Sequence, residues 1–406
     1  MATLKSNLIL QLIDKVSGPA AGVGNALRRM NGQIDQANRS HRTMLGPVTG
    51  MVGRLAAFGA GYVGVTQGIQ GTAGAAIKFE SAMADVRKVV DVTDGQFANI
   101  TRQVTGLSRE LPVAADGIAA IYANAAQSNV ALQDLQGFAK GVVQVSTAWD
   151  TSSDVTAEAL AKIKTALNRD LKGTFALADA INNVSNVSAA GAPDLLEYTR
   201  RVSSFAETAG FSAEQALAFG GAMVGSGFEP EVAATSFRNL TKALAQGENA
   251  TKGQRRAYKA LGLDAVKTAK GMQKNAVSTT LDVLDRLKQL PEYQQISLAS
   301  ALFGDEARGL APIIQNATEL RRLLHETGDA AIYSGSAYKE YVTRANTAGN
   351  VLQITQNKIA DTFRSMGDGM LPGIKEAALG LGDVLDNDLE DIDLTLQDGT
   401  VTVAQF

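Results

Sequence analysis

The chain has no cysteine, only two histidines, one tryptophan and eight prolines in 406 residues. Without cysteine there are no disulfides and no thiolate-bound metal, which fits a reducing compartment. His41 and His325 stand alone, and His325-Glu326 lacks a second histidine four residues on, so the zincin helix is absent. There is no G-x-S-x-G elbow and no Walker loop; Gly247-Glu248-Asn249-Ala250-Thr251-Lys252-Gly253 has the wrong order for one. Aromatics are few, at 5%, while alanine and glycine are plentiful. That composition predicts slim helices that approach closely and bury little area each. Glu158, Glu197, Glu207 and Glu214 fall where helices place solvated acids or dipole partners. The expectation is therefore a protein that is not an enzyme, with no catalytic residue, no cofactor and no metal.

What is present is unevenly spread. The net charge is −3. Residues 1–78 carry Lys5, Lys15, Arg28, Arg29, Arg39, Arg42, Arg54 and Lys78 against Asp14 and Asp35. After Lys375 no base follows, while Asp383, Asp386, Asp388, Glu390, Asp391, Asp393 and Asp398 crowd together. Opposite charge at the two ends suits ordered stacking, or a basic arm near an anionic surface, against the plainer reading of two solvated ends. The basic arm has no interleaved aromatics, so no specific nucleic-acid binding is expected. Lys5 precedes an alternating segment and not a signal-type apolar core, so no secretory leader is read there.

Five regions follow from pattern. Residues 1–54 combine a short strand (Leu8, Leu10 and Leu12 alternating with Ile9, Gln11 and Ile13) with a basic amphipathic helix over 20–43. Residues 55–78 form a Gly/Ala-rich segment, uncharged through Ile77 and long enough to cross a bilayer. Gln67, Gln70, Thr66, Thr72 and six glycines dilute it. Its Gly59-Ala60-Gly61-Tyr62-Val63-Gly64 is a literal GxGxxG, but no strand precedes it and Glu80 sits in a helical pattern, so a dinucleotide site is not supported. Gly59, Gly61, Gly64 and Gly68 are better read as packing or membrane glycines, with Gly64 and Gly68 four apart.

Residues 79–332 read as consecutive helices. Thr93/Gln96 and Ser212/Gln215 have capping-box spacing. Helices are expected over 153–171, 213–224 and 257–269 among others, with 246–253 a polar loop. Residues 333–372 place Tyr338, Tyr341, Ala345, Ala348, Leu352, Thr355, Ile359, Phe363 and Met366 three and four apart, a heptad seam and a coiled-coil candidate. Asn350, Gln353, Gln356, Asn357, Lys358 and Arg364 lie off it. An ordinary amphipathic helix on its own core is the plainer alternative. Residues 373–406 are acidic, with a candidate hairpin around Asp398-Gly399. The expected fold is mainly α: an elongated multi-helix assembly with the short N-terminal strand, the Gly/Ala segment and the coiled-coil candidate.

An ordered set of short motifs carries a resemblance. It begins with Leu10-Gln11-Leu12-Ile13-Asp14-Lys15, then Phe79-Glu80 with Met83, Leu107 to Val113, and Phe175 to Asp179. Ala209-Gly210-Phe211-Ser212, Gly227-Phe228-Glu229-Pro230 and Leu302-Phe303-Gly304-Asp305-Glu306 follow. In this order they resemble the N-terminal and core part of bacteriophage tail tape measure proteins, over roughly residues 1–380. The resemblance implies a structural scaffold around which tail-tube subunits polymerise, which sets tail length and leaves the tube ahead of the DNA. Implied partners are the tail-tube protein, tail assembly chaperones and baseplate or tail-tip initiator proteins, with self-association and contact with the host inner membrane as further expectations. The implied locations are the tail-tube lumen of the virion, the host cytoplasm during assembly and the host inner membrane at infection. A chain of this length spans about 600 Å if wholly helical. Two other classes are weighed: a membrane-active pore former using residues 55–77, and a cell-wall hydrolase with an unrecognised acid pair.

Overall fold

The computed structural model describes residues 65–368. The strand at 7–13, the helix at 20–43, Gly59, Gly61, Gly64 and the hairpin at 398–399 lie outside them. Among the described residues every regular element is helical. In order the α-helices are α1 (Val65–Val89), α2 (Asp94–Glu110), α3 (Ala115–Gln127), α4 (Leu135–Trp149), α5 (Ser153–Ala166) and α6 (Leu171–Val187). Then come α7 (Ala192–Thr208), α8 (Ala213–Val224), α9 (Pro230–Ala245), α10 (Lys252–Ala260), α11 (Ala265–Lys274) and α12 (Ala276–Lys288). The series closes with α13 (Glu292–Phe303), α14 (Ala311–Gln315), α15 (Ala317–Glu326), α16 (Ala330–Tyr333), α17 (Ser336–Ala345) and α18 (Ala348–Asp368).

Side chains fix several of the helix starts. Thr93 Oγ1 accepts from Gln96 N, and Gln96 Oε1 accepts from Thr93 N at 2.9 Å, closing the expected box at α2. Ser212 and Gln215 do the same at α8. A third box, Thr251 with Gln254, opens α10 inside the stretch expected to be loop. Such a cap contributes about 1 kcal/mol, enough to start a nine-residue helix on a packed surface.

Three expected helices are divided. The 153–171 helix stops at Ala166, because Asn168 turns left-handed (φ 47°) and Asp170 caps α6 through the Gly173 amide at 2.7 Å. The 257–269 helix splits at Gly262 (φ 67°), after which Asp264 caps α11. The long helix over 333–372 is two helices, α17 and α18, with a turn at Asn346-Thr347 in which Thr347 N donates to Arg344 O.

The chain forms two compact units, residues 82–357 and residues 1–81 with 358–406. At the centre of the first lies α8. All but two of its twelve residues are buried, and it packs against α6, α7, α9 and α15. A helix apolar all round has no solvent face to offer, so it becomes the axis on which the others are laid. Phe211, just before it, stacks edge-on with Phe219 and Phe237 at 5.5 and 5.4 Å, and Tyr198 meets Phe237 at 6.3 Å. Each such pair adds roughly 0.5–1.5 kcal/mol beyond its buried area.

Small residues on α8 permit this closeness. A Cβ at Gly220 would stand 2.4 Å from the Tyr198 ring. Gly220→Ala therefore is expected to destabilise the unit by roughly 1–3 kcal/mol, the range for overpacking a tight core. Urea denaturation measures the loss, and adding Tyr198→Leu recovers part of it. No recovery in the double variant means that helix approach at this point is not limited by the ring.

In the second unit, the described residues are 65–81 and 358–368. Phe79 is buried there, with the Arg364 guanidinium 4.7 Å above its ring. Arg364 is also paired with buried Asp361 at 2.8 Å. The aromatic ring and the carboxylate together hold one cation, which allows an acid and an arginine to leave water side by side.

Candidate functional site

The side chains with the most unusual surroundings are polar groups that tie distant parts of the 82–357 unit together. Asn357, on α18, is 4% exposed. Its Nδ2 donates to the carbonyls of Ser108, Leu111 and Val113 at 3.0, 3.1 and 2.8 Å. These oxygens belong to the end of α2 and the turn into α3, where a helix C-terminus and Pro112 leave carbonyls without amide partners. Gln353 Nε2 donates to Asn357 Oδ1 at 2.9 Å and holds the amide in place.

A second clasp joins α4, α6 and α17. The sole tryptophan, Trp149, donates from Nε1 to Asn182 Oδ1 at 2.9 Å, and Asn182 Nδ2 donates to Ser336 Oγ at 2.8 Å. One turn earlier on α6, Asp179 accepts from the Gly335 and Ala337 amides at 2.8 and 3.0 Å. It caps α17 from another helix, since Gly335 at its N-cap has no side chain to do so. Burial raises the Asp179 pKa, and the two amides offset this only in part.

The third clasp is ionic. Arg169, between α5 and α6, makes a bidentate pair with Glu214 in the first turn of α8, at 2.6 and 3.2 Å. Glu207 stands 3.9 Å away. The two paired side chains retain 19% and 14% exposure. Burial pushes the Glu214 carboxyl up, but the hydrogen bond and charge of Arg169 outweigh it and leave the pKa below the ordinary value. Glu214 is thus not a solvated acid, whereas Glu158 pairs with Lys162 and Glu197 with Arg200 and Arg201 on their own helices.

A cleft of about 440 Å³ opens where the α4–α5 turn faces the α17–α18 break. Ser146, Thr147, Asp150, Thr151, Ser152 and Ser153 line one side, and Arg344, Thr347, Gly349 and Asn350 the other. Arg344 lies 3.9 Å from Asp150 and 3.4 Å from Glu340. Hydroxyls, one guanidinium and one carboxylate can bind a polar group, but the lining contains no nucleophile paired with a base. Among the described residues no group of three or more His, Cys, Asp or Glu could hold a metal ion.

The residues singled out by sequence fall in several places. Phe79, Met83, Phe211, Leu302 and Phe303 are buried core, while Glu80 is exposed. Gly227 (φ 92°) and Gly304 (φ 80°, ψ 170°) hold turns. The Gly304 conformation is one that side-chain-bearing residues essentially never adopt. Phe228 is half-buried beside Gly227. The Glu306 and Phe363 side chains lie outside the described ones, and Gly68 falls within α1. Of the seam residues, Tyr338, Leu352 and Ile359 are exposed, and Tyr341 and Ala345 half-buried. No helix among the described residues is long and apolar enough to cross a membrane.

A family model for phage-related minor tail proteins matches residues 101–304. The chain belongs to this family. A probable tape measure protein of Halomonas phage phiHAP-1 is 30% identical over 318 residues, covering 75% of this chain and 37% of that relative. The chain thus spans a little over a third of the relative's length. No solved structure matches it. The phage-tail resemblance drawn from the ordered motifs is borne out. For a minor tail protein, the matched span has a clear physical content: it runs from α2 through α13 and so includes the buried axis α8, the Arg169–Glu214 pair and the Gly304 turn. Arg169, Asn182 and Asn357, by contrast, were not singled out as site residues from sequence. Their signals were an arginine before a cap, an asparagine inside an apolar helix and an asparagine off the seam.

Proposed function

We propose that the chain is the N-terminal and core part of a phage tail tape measure protein. It acts without catalysis, as a scaffold on which the tail tube assembles and whose length sets that of the tail, and it leaves the tube ahead of the DNA. The observation that carries this reading is the 30% identity with the probable tape measure protein of the Halomonas phage across most of this chain. The mainly helical fold is compatible with it, since helix that lies extended converts residue number into length at about 1.5 Å per residue. The proposed partners are the tail-tube protein, tail assembly chaperones and baseplate or tail-tip initiator proteins. Self-association through the exposed seam residues Tyr338 and Leu352 belongs to the same proposal. So do the tube lumen as its place in the virion and the host cytoplasm as its place during assembly. Contact of residues 55–77 with the host inner membrane completes it.

Tail microscopy tests the reading. In the phage that encodes this chain, an in-frame deletion of residues 337–366 is expected to shorten tails by about 45 Å. A helical insertion of the same length at the exposed Asn346-Thr347 turn lengthens them equally. Assembled tails of unchanged length in both cases would sink the ruler role.

A further inference from the structure

One surface of the 82–357 unit is explained neither by the clasps nor by the tail reading. Helices α10 and α11 carry Lys252, Arg255, Arg256 and Lys259, then Lys267, Lys270 and Lys274, and all seven are exposed. On each helix they recur three and four residues apart, so each helix presents a basic face. The acid in this span, Asp264, has its carboxylate turned to the α11 amides as a cap. Among the described residues none of the seven bases forms an ion pair. Arg255 alone is engaged, donating to the Ala250 and Glu248 carbonyls.

This arrangement costs the isolated fold stability. Lys252/Arg256, Arg255/Lys259 and Lys270/Lys274 are like charges one turn apart, which repel. The helix dipole gives no net relief: it disfavours Lys252 and Lys267 in first turns and favours Lys259 and Lys274 in last turns, so the like-charge repulsion remains. A surface that keeps these penalties fits an anionic partner that removes them. Stacking on nucleobases is not provided for, because the aromatic residue of the span, Tyr258, is 1% exposed with its hydroxyl bonded to Ala243 O. The chain itself supplies the complement: seven acids between Asp383 and Asp398 with no base among them.

We propose that the basic faces of α10 and α11 dock the acidic stretch 383–398 of a second copy of this chain. Such a contact is heterologous, since the two partners offer different surfaces, and it propagates from copy to copy unless closed into a ring. Its strength is electrostatic and multivalent, so it weakens as salt shortens the range of charge.

Sedimentation of the full chain provides the test. The wild type is expected to self-associate with rising concentration at low salt, with at least about tenfold weaker association once added salt brings the Debye length down to about 3 Å. A base variant (Lys252→Glu, Lys259→Glu, Lys267→Glu, Lys270→Glu) and an acid variant (Asp386→Asn, Asp388→Asn, Glu390→Gln, Asp391→Asn, Asp393→Asn) each lose it. Mixed one to one, they form a dimer that grows no further, because each retains the half the other lacks. Circular dichroism and Trp149 fluorescence matching the wild type establish that both variants are folded, and a different charge-reversed subset replaces any that is not. The proposal is overturned by wild-type chain that stays monomeric at low salt, by base or acid variants that associate like wild type, or by a mixture that forms no dimer. It is equally overturned if duplex DNA binds the basic faces at least tenfold more tightly than a synthetic 383–398 peptide does.

Discussion

Replacing Arg169 by alanine is expected to lower the stability of the 82–357 unit by about 3 kcal/mol at neutral pH, the lower end of the range for breaking a buried ion pair. The lower end applies because both partners keep some solvent contact. The loss comes from Glu214, left in its largely buried position without the guanidinium that makes its charge tolerable. Its pH dependence has a definite sign. In the wild type the Glu214 carboxyl is held below its ordinary pKa. The pair therefore contributes stability above the unfolded carboxylate pKa, and that contribution disappears as pH falls through the folded value. In Arg169→Ala burial, the largest influence on Glu214, favours the neutral acid and is opposed only by the Glu214 amide and the Ser212 side chain. The gap between variant and wild type is thus widest near pH 7 and narrows towards pH 3. Urea titrations read through the fluorescence of Trp149 measure it. A gap independent of pH would assign the effect to lost packing of the arginine stem.

The second large effect is expected at Asn357. Asn357→Leu keeps the volume and removes the amide that serves three carbonyls at once. Orphaned buried acceptors cost about 1–3 kcal/mol each. Some of these oxygens regain water when the helix shifts, so the expected cost is about 3 kcal/mol. It is local in form. Hydrogen exchange is expected to speed up first at the α2–α3 turn and along the first half of α18, with the α8 amides following only at global unfolding. Uniform acceleration across the unit would mean that Asn357 acts on the whole core and not on one joint.

Sequence and structure agree most closely where chemistry is local. The boxes at Thr93/Gln96 and Ser212/Gln215 are legible because a hydroxyl and an amide three residues apart have one efficient use at a helix start. The same signal at Thr251/Gln254 was hidden inside a polar stretch tested for a phosphate loop, and there the glycines drew the reading away from the cap. Helix breaks at Asn168 and Gly262 depend on a single left-handed residue followed by an acidic cap, a pattern that apolar periodicity carries straight across. The seam over 338–366 shows another limit, since spacing alone does not say what covers each face. Its spacing is real, but α18 turns Asn357 inward and leaves Leu352 exposed. Periodicity gives the faces of a helix, and the partner decides which face is buried; here that partner is a set of carbonyls 244 to 249 residues earlier. The Arg169–Glu214 pair was illegible for the same reason, since no local pattern links residues 45 apart.

The Asn357 joint also bears on how the chain is made. Ser108 leaves the ribosome 249 residues before the side chain that will satisfy its carbonyl. At roughly 5–20 residues per second, the end of α2 waits about 12–50 s during translation for its partner. Through that interval the first helices of the unit exist without their closing element. A partner that must engage the unfinished chain has its opportunity then, and the arrival of α18 ends it.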